Sequence, residues 1–534
     1  MIRRIAFGFF PLLFAIACST TDDGGGGSSG GTDGGTTPPP KYTPAALPPL
    51  GDVPTTLEKR LTPSKAQQKY TDGPNPVAPD ALATYLDKGF GDQIDAPGEG
   101  YLTRVIDGST PPAAGPGAKR IVRFVHLADL QIADDESPTR VGLLDSAGFT
   151  SSALRPQDAY LCHMANSAVR TINALHKKDP FAFTIMGGDN ADSAQTNEVD
   201  WVLGILSGRP SVECDSGDDD DVVKGPDNDG KDPFVAEGLA MKWLWVTGNH
   251  DILVQGNVAP NESNKVSVVG DTASNGTRLY SANRSDGLLP GAVTTETIPA
   301  DPKRALLSPA EVMAKVGADK DGHGLDARAK QSGKATYTHD IEGTPIRFLV
   351  IDTAHATGGS DGVITQRHVD EVIKPALDQA KAENKWVILA SHHAQSSLTK
   401  EGGALGTVEP DAILPDGWAT FIGGYPNVVF SMVGHSHEHR VRAVKPAGTG
   451  HAWWEVMTSA IADYPHQFRV VEIYDQDNGW LMLRSHVVDI AVQGDPVAAE
   501  GRRRGVVDQI SGWLPGDGRG KNEDRNVELW IKKP

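Results

Sequence analysis

Cysteine is scarce in this chain: three residues in 534 cannot staple a fold of that length, which excludes a disulfide scaffold. Basic residues are outnumbered, with 50 Lys and Arg against 69 Asp and Glu for a formal charge of −19. General nucleic-acid or anionic-membrane binding needs clustered cations that release counterions, so the chain carries no such patch as a class feature. No apolar run reaches the roughly 18–20 residues that a spanning helix requires. No internal repeat is visible. What is present is 39% hydrophobic and 22% charged residues, enough apolar surface for a sizeable core in one large domain or a few ordinary ones. The remaining classes are an acidic globular enzyme or a large binding module.

The N-terminus reads as an address. Arg3 and Arg4 precede an apolar stretch, Ile5 to Ala17, interrupted by Pro11, with the pattern of a secretory signal. Its end, Ala15-Ile16-Ala17-Cys18, resembles a bacterial lipoprotein cleavage box with Cys18 as the lipidated residue; the alternative is an ordinary signal cut near an incidental thiol. The Gly/Ser/Thr tract that follows, ending in Pro38-Pro39-Pro40, is too polar to fold and acts as a tether. Ser19 rather than Asp after Cys18 implies the outer membrane by the usual sorting rule, at its periplasmic face or the cell surface. Outside the cytoplasm Cys162 and Cys214 can form one bridge, or remain two unrelated buried thiols. The expected organisation is a signal over 1–18, a tether over 19–50 and an irregular wrap over 51–118. A main domain follows over 119–490, with insertions near 193–241 and 252–345, and then a C-terminal extension over 491–534.

Within the main domain one unit recurs: an apolar strand whose C-terminal end opens into Asp, Asn or His. Residues 121–127, 181–186, 243–246, 346–351, 386–390 and 428–433 are such strands. Helical stripes lie at Leu161, Ala165, Ala168, Ile172 and Leu175, and from Val369 to Ala380 with a bend expected at Pro375. The stretches 453–457, 468–474 and 480–488 alternate more and are expected to be antiparallel. Turns draw on Gly, Pro, Asn, Asp and Ser, so repeated His at strand ends is not turn chemistry. In open α/β sheets the loops beyond strand ends converge on one crevice.

In chain order those loops carry Asp129-Leu130-Gln131, Gly188-Asp189-Asn190-Ala191-Asp192, Gly248-Asn249-His250-Asp251, His392-His393 and Gly434-His435-Ser436-His437. Oxygen donors combined with imidazoles suit a pair of borderline divalent cations. A bridging carboxylate can hold two such ions about 3.5–4 Å apart, with a hydroxide between them as nucleophile. The ordered set resembles the calcineurin-like metallophosphoesterase family, with the insertions and the Tyr464-to-Arg469 segment resembling an exported bacterial subgroup. That resemblance implies an α/β fold, a four-layer α/β/β/α sandwich with long loop insertions. It also implies two divalent metal ions, Mn, Fe or Zn. Asp189 would bridge them; Asp129, Gln131 and His437 would belong to the first, and Asn249, His392 and His435 to the second. His250 would serve as general acid or phosphate stabiliser, oriented by Asp192, with His393 as fallback if the register at 391–393 is off by one.

The departure from the pattern is Gln131, where the family usually has His. It either ligates a harder ion such as Mn(II), or sits one step back with water in its place, or leaves the first site too weak to hold metal. His126 reads as a satisfied core or supporting histidine, and the Trp453-Trp454 pair as packing. His439 and Arg440 either reach substrate phosphate or are solvated. Glu213 to Asp232 holds nine carboxylates against Lys224 and Lys231, the composition of a solvated loop, and lacks the Glu that would complete an EF-hand after Asp227-Asn228-Asp229-Gly230. The expected activity is hydrolysis of a small phosphate ester outside the cytoplasm, a phosphodiester such as a cyclic or extracellular nucleotide first. Phosphomonoester hydrolysis, or metal binding by an impaired surface lipoprotein, are the alternatives. Membrane contact is expected through the lipid anchor only; no oligomeric state is legible.

Overall fold

The computed structural model describes residues 43–534 apart from positions 74, 75, 78, 149, 218–229 and 277–293. The signal, Cys18 and most of the tether therefore lie outside the described residues, as do most of the acidic run and Asp227 to Asp229. Everything described belongs to one compact unit. Among the described residues no helix is long and apolar enough to cross a membrane.

Thirteen strands position the site: β1 Leu102–Val105, β2 Lys119–Leu127, β3 Thr184–Met186, β4 Trp243–Leu244, β5 Tyr337–Asp340, β6 Ile346–Val350, β7 Trp386–Ala390, β8 Val428–Val433, β9 Arg440–Val444, β10 Trp453–Met457, β11 Gln467–Asp475, β12 Trp480–Asp489 and β13 Val527–Lys532. They form a seven-stranded sheet in the order β1-β13-β12-β11-β2-β3-β4 and a six-stranded sheet in the order β9-β10-β8-β7-β6-β5. The central pairs β2–β3, β3–β4, β6–β7, β7–β8 and β8–β10 are parallel, so their C-terminal ends point the same way within each sheet. Buried on both faces, these strands read as continuous apolar runs rather than alternating ones.

The sheets meet through aromatic contacts. Phe124 of β2 stacks on Phe183 at 5.2 Å, and both rings meet Phe348 of β6 edge-on at 5.3 and 5.2 Å. Such pairs add about 0.5–1.5 kcal/mol beyond the area they bury. Helices α1 (Leu161–Lys178), α2 (Thr196–Ser207), α3 (Lys374–Ala382), α4 (Pro415–Gly423) and α5 (Pro496–Ile510) flank them. α1 and α5 pack on each other, and the expected stripe of α1 joins the same apolar core as both sheets. α3 lies against β7. The architecture is an α/β sandwich of two face-to-face sheets with helices outside.

Several details depart from the sequence pattern for local reasons. β4 stops at Leu244 because the Trp245 N–H donates to the His323 carbonyl at 3.0 Å, in a turn rather than a ladder. Before Pro375 the helix widens into a π turn, Val369–Ile373, which accommodates the proline's missing N–H. β10 is antiparallel to β9 but parallel to β8. The N-terminal segment contributes β1 and the C-terminal segment β13; both complete the first sheet.

Cys162 in α1 is disulfide-bonded to Cys214, with Cα atoms 6.6 Å apart. Beyond the undescribed stretch, Lys231 reaches back to Asp135 at 2.8 Å and Glu136 at 3.4 Å. Both flanks of the acidic run are thus fastened to the domain. Peptide mapping under non-reducing conditions is expected to recover Cys162 and Cys214 in one linked pair; two free thiols would remove the bridge.

Candidate metal centre

The strand ends deliver the polar residues to one place where the two sheets face each other. From the first sheet, β2 leads to Asp129 and Gln131, β3 to Asp189 and Asp192, and β4 to Asn249 and His250; from the second, β7 leads to His392 and β8 to His435 and His437. The turns are tight. Asp129, Gln131, Asp189, His435 and His437 all have left-handed φ, from 40° to 79°, which non-glycine residues adopt only when the surroundings enforce it. Gly188 has φ of 87°, and a Cβ there would lie 2.5 Å from His392 Nδ1. Gly248 leaves room for the Asp189 carboxylate, which a side chain would strike.

Asp189 is the common point. Its Oδ2 lies 3.0 Å from His392 Nε2 and 4.0 Å from His250 Nε2, and its Oδ1 accepts the His250 backbone N–H at 2.8 Å. Asp129 accepts the His435 N–H at 3.2 Å, joining the two sheets, and its Oδ1 is 3.4 Å from His437 Nε2. Ligand atoms of Asp129, Asp189 and His392 lie within 4.8 Å of one another, as do those of His392, His393 and His435. Burial opposes ionisation of Asp189, but His392, His250 and His435 outweigh it and hold the carboxyl well below the usual range. Burial lowers His392 and His437 less than Asp189, Asp129 and Asp463 raise them, to about 9 and about 10. Burial pushes His435 down to about 3, so it is a neutral imidazole with a lone pair to give.

Two donor atoms fit a cation. The Asn249 amide donates its Nδ2 to the Gly256 carbonyl at 2.9 Å, leaving Oδ1 buried with no hydrogen bond. His392 has Nδ1 against the Gly187 carbonyl at 2.8 Å, and its Nε2 is buried near Asp189 but not aligned to hydrogen-bond it. Orphaned buried polar atoms are rare unless something else satisfies them. His393, in contrast, has Nδ1 on the Thr353 hydroxyl at 2.8 Å and Nε2 on the Ser360 carbonyl at 2.9 Å, so His392 is the candidate ligand of the pair.

His250 is held as expected, with more than one grip. Its Nδ1 faces the Asp192 backbone carbonyl at 2.7 Å and the Asp192 carboxylate at 3.3 Å, leaving Nε2 toward the site. Asp192 is itself fixed by Arg140 Nη1 at 2.9 Å. Burial raises its carboxyl, but Arg140 and His250 bring it down to about 2.

Asp463 and Arg155 escape the sequence reading, and Asp251 stands in the Gly248-Asn249-His250-Asp251 motif without a role assigned to it. Asp463 takes His437 Nδ1 at 2.5 Å and Arg155 Nε at 2.8 Å, an orienting carboxylate behind a histidine. It follows His437 by 26 positions in chain order with no motif to mark it. Asp251 accepts the N–H groups of Asn190, Ala191 and Gly248 at 2.8–3.1 Å, tying two loops together; burial and nearby Asp189 raise it to about 7. Arg155 Nη2 donates to Gln131 Oε1 at 2.6 Å.

The remaining candidates are structural. His126 is buried with Nδ1 on the Thr458 hydroxyl at 2.7 Å. His439 is buried between Gln467 and Ser459, and the partly exposed Arg440 pairs with Glu438 at 2.9 Å. Trp453 and Trp454 are buried, donating to Ser431 Oγ and the Trp530 carbonyl.

One buried group near Asp463 carries a pH consequence. Neither carboxylate oxygen of Asp508 has a hydrogen-bond partner, and burial together with Asp463 and Asp145 raises its pKa well above the usual value. The folded state then binds a proton that the unfolded chain has released, so stability falls as pH rises from the ordinary carboxylate range through the raised pKa. Asp508→Asn is expected to stabilise the fold by about 1–3 kcal/mol near pH 8 and little near pH 4. Melting curves at both pH values check it; an equal shift at both would disconnect the effect from the charge.

No family model matches the chain, and no curated protein matches it in sequence. Among solved structures it is similar to the purple acid phosphatase PPD1 from yellow lupin (Lupinus luteus) seeds, at 12% identity and a TM-score of 0.31 over 74% of this chain and 55% of that one. It is also similar to the sulfate thiohydrolase SoxB of Termus thermophilus, at 12% identity and a TM-score of 0.27 over 74% and 60%. A third is GAP50, the anchor in the inner membrane complex of Plasmodium, at 12% and 0.25 over 74% and 96%. The alignment spans under two thirds of the first two of these chains.

Proposed function

We propose that the protein is a metal-dependent phosphoesterase acting outside the cytoplasm, anchored through a lipid on Cys18, with a phosphodiester as its preferred substrate class. The observation that carries the catalytic reading is the convergence around Asp189 of residues from five strand ends, with Asn249 Oδ1 buried and without a hydrogen-bond partner and His392 Nε2 3.0 Å from the Asp189 carboxylate. Asp189, Asn249, His392 and His435 would hold one divalent ion, and Asp129, Asp189 and His437 would hold another, which the grouping of Asp129, Asp189 and His392 and the 3.4 Å approach of His437 to Asp129 support. Such ions supply Lewis acidity, acidifying water and screening charge on phosphoryl oxygens. The chain's own contribution is orientation and a proton. His250, steadied at Nδ1 by Asp192, presents Nε2 toward the site and can protonate the departing oxygen. Asp463 fixes the ring of His437. The Cys162–Cys214 bridge supports an oxidising compartment.

The test uses the full chain, loaded with Mn(II), Fe or Zn and assayed on bis-p-nitrophenyl phosphate and p-nitrophenyl phosphate. Turnover above that of Asn249→Ala supports the enzyme, and diester over monoester turnover supports the preferred class. If neither ester is hydrolysed above that control with any metal, the alternative of a metal-binding surface lipoprotein takes its place. The engagement of Gln131 by Arg155 is the observation favouring that alternative.

A further inference from the structure

We infer that the protein holds one cation tightly, at Asp189, Asn249, His392 and His435, and that Gln131 is not a ligand of the other because Arg155 has taken its only oxygen. The inference rests on the proposed metal dependence and makes it specific to this chain.

An amide side chain has one acceptor oxygen, and a guanidinium has donors only. With Arg155 Nη2 2.6 Å away, Oε1 must be the atom facing it, and the rest of the amide head is an NH2 group, which cannot ligate a cation. Arg155 is not free to turn aside. It is buried, its Nε is 2.8 Å from Asp463 Oδ1, and its Nη1 lies 3.7 and 3.8 Å from Asp158 and Asp192. The left-handed backbone at Gln131 and its N–H bond to the Asp189 carbonyl at 2.9 Å fix the other end of the contact. A carbonyl oxygen has a second lone pair, but a divalent ion there would sit within a few ångströms of a desolvated guanidinium, where like charges repel strongly.

The two halves of the centre differ accordingly. Around the second position, Asn249 Oδ1 and His392 Nε2 have no hydrogen-bond partner. Around the first, Asp129 lies 3.4 Å from His437 Nε2, while Asp463, which holds that imidazole's far side, also grips Arg155. A first ion would therefore find two protein ligands besides the shared Asp189, with the Gln131 oxygen turned to Arg155.

The experiment counts ions rather than turnover. Full-length wild type and Gln131→Met are loaded with Mn(II) or Zn(II), passed through a chelating resin and analysed for metal per chain, with melting curves to verify folding. Wild type and Gln131→Met should each keep one equivalent, because the amide is not a ligand. Two equivalents in wild type, or a fall in Gln131→Met below wild type, would overturn the inference while leaving the phosphoesterase reading intact. No retained ion in wild type would overturn the inference, and the ester assay with metal in excess decides separately whether the phosphoesterase reading stands. The wild-type count decides the matter even if a variant does not fold.

Discussion

Asp189→Asn is expected to release the bound metal and to lower ester turnover by at least about a thousandfold. The reason is geometric. Asp189 lies 3.0 Å from His392 of the other sheet, holds the His250 backbone and is grouped with Asp129, so it touches both halves of the centre. The amide variant retains an oxygen to accept the His250 N–H, so the loop between β4 and His250 keeps its 2.8 Å anchor and the fold should survive. What disappears is the negative charge, which three imidazoles hold ionised despite complete burial. Metal analysis and turnover should fall together; turnover lost with metal retained would show that Asp189 acts as something other than a ligand.

His250→Ala should produce the opposite pairing, with metal content unchanged and kcat reduced by about 10²–10⁴-fold. Its Nδ1 is spent on Asp192, and Nε2 is left 4.0 Å from Asp189 on the open side of the centre. A proton donor matters most when the departing oxygen is a poor leaving group. The loss should therefore be larger for a phenyl or alkyl ester than for a p-nitrophenyl ester. An equal loss on both substrates would make His250 a phosphate stabiliser rather than a proton donor, and loss of metal would place it among the ligands.

Much of this centre was legible because parallel strands buried on both faces leave a strong signal: an apolar run that stops abruptly at Asp, Asn or His. Asp129, Asp189, Asn249, His392 and His435 are all marked that way. The choice between His392 and His393 was not, since adjacent residues differ only in which way they point; it took Thr353 and Ser360, from a loop before α3, to occupy His393. Arg155 and Asp463 were invisible for a related reason. They sit in irregular stretches with no periodicity, and their meaning lies in a contact between segments more than 300 positions apart. The pairing of Cys162 with Cys214 likewise depends on a Cα separation that spacing along the chain does not encode.

The edge of the seven-stranded sheet bears on how the molecule can be cut. β13, from the last residues of the chain, lies between β12 and β1, with Val527 opposite both Ser485 and Leu102. A fragment trimmed to the motif-bearing portion, 119–490, would lose two strands and leave the backbone donors and acceptors of β12 facing water. Bare edges of that kind recruit other chains. Minimal versions designed around the motifs should therefore self-associate, whereas versions beginning before Leu102 and ending after Lys532 keep β12 paired and leave only the short strand β1 at the border.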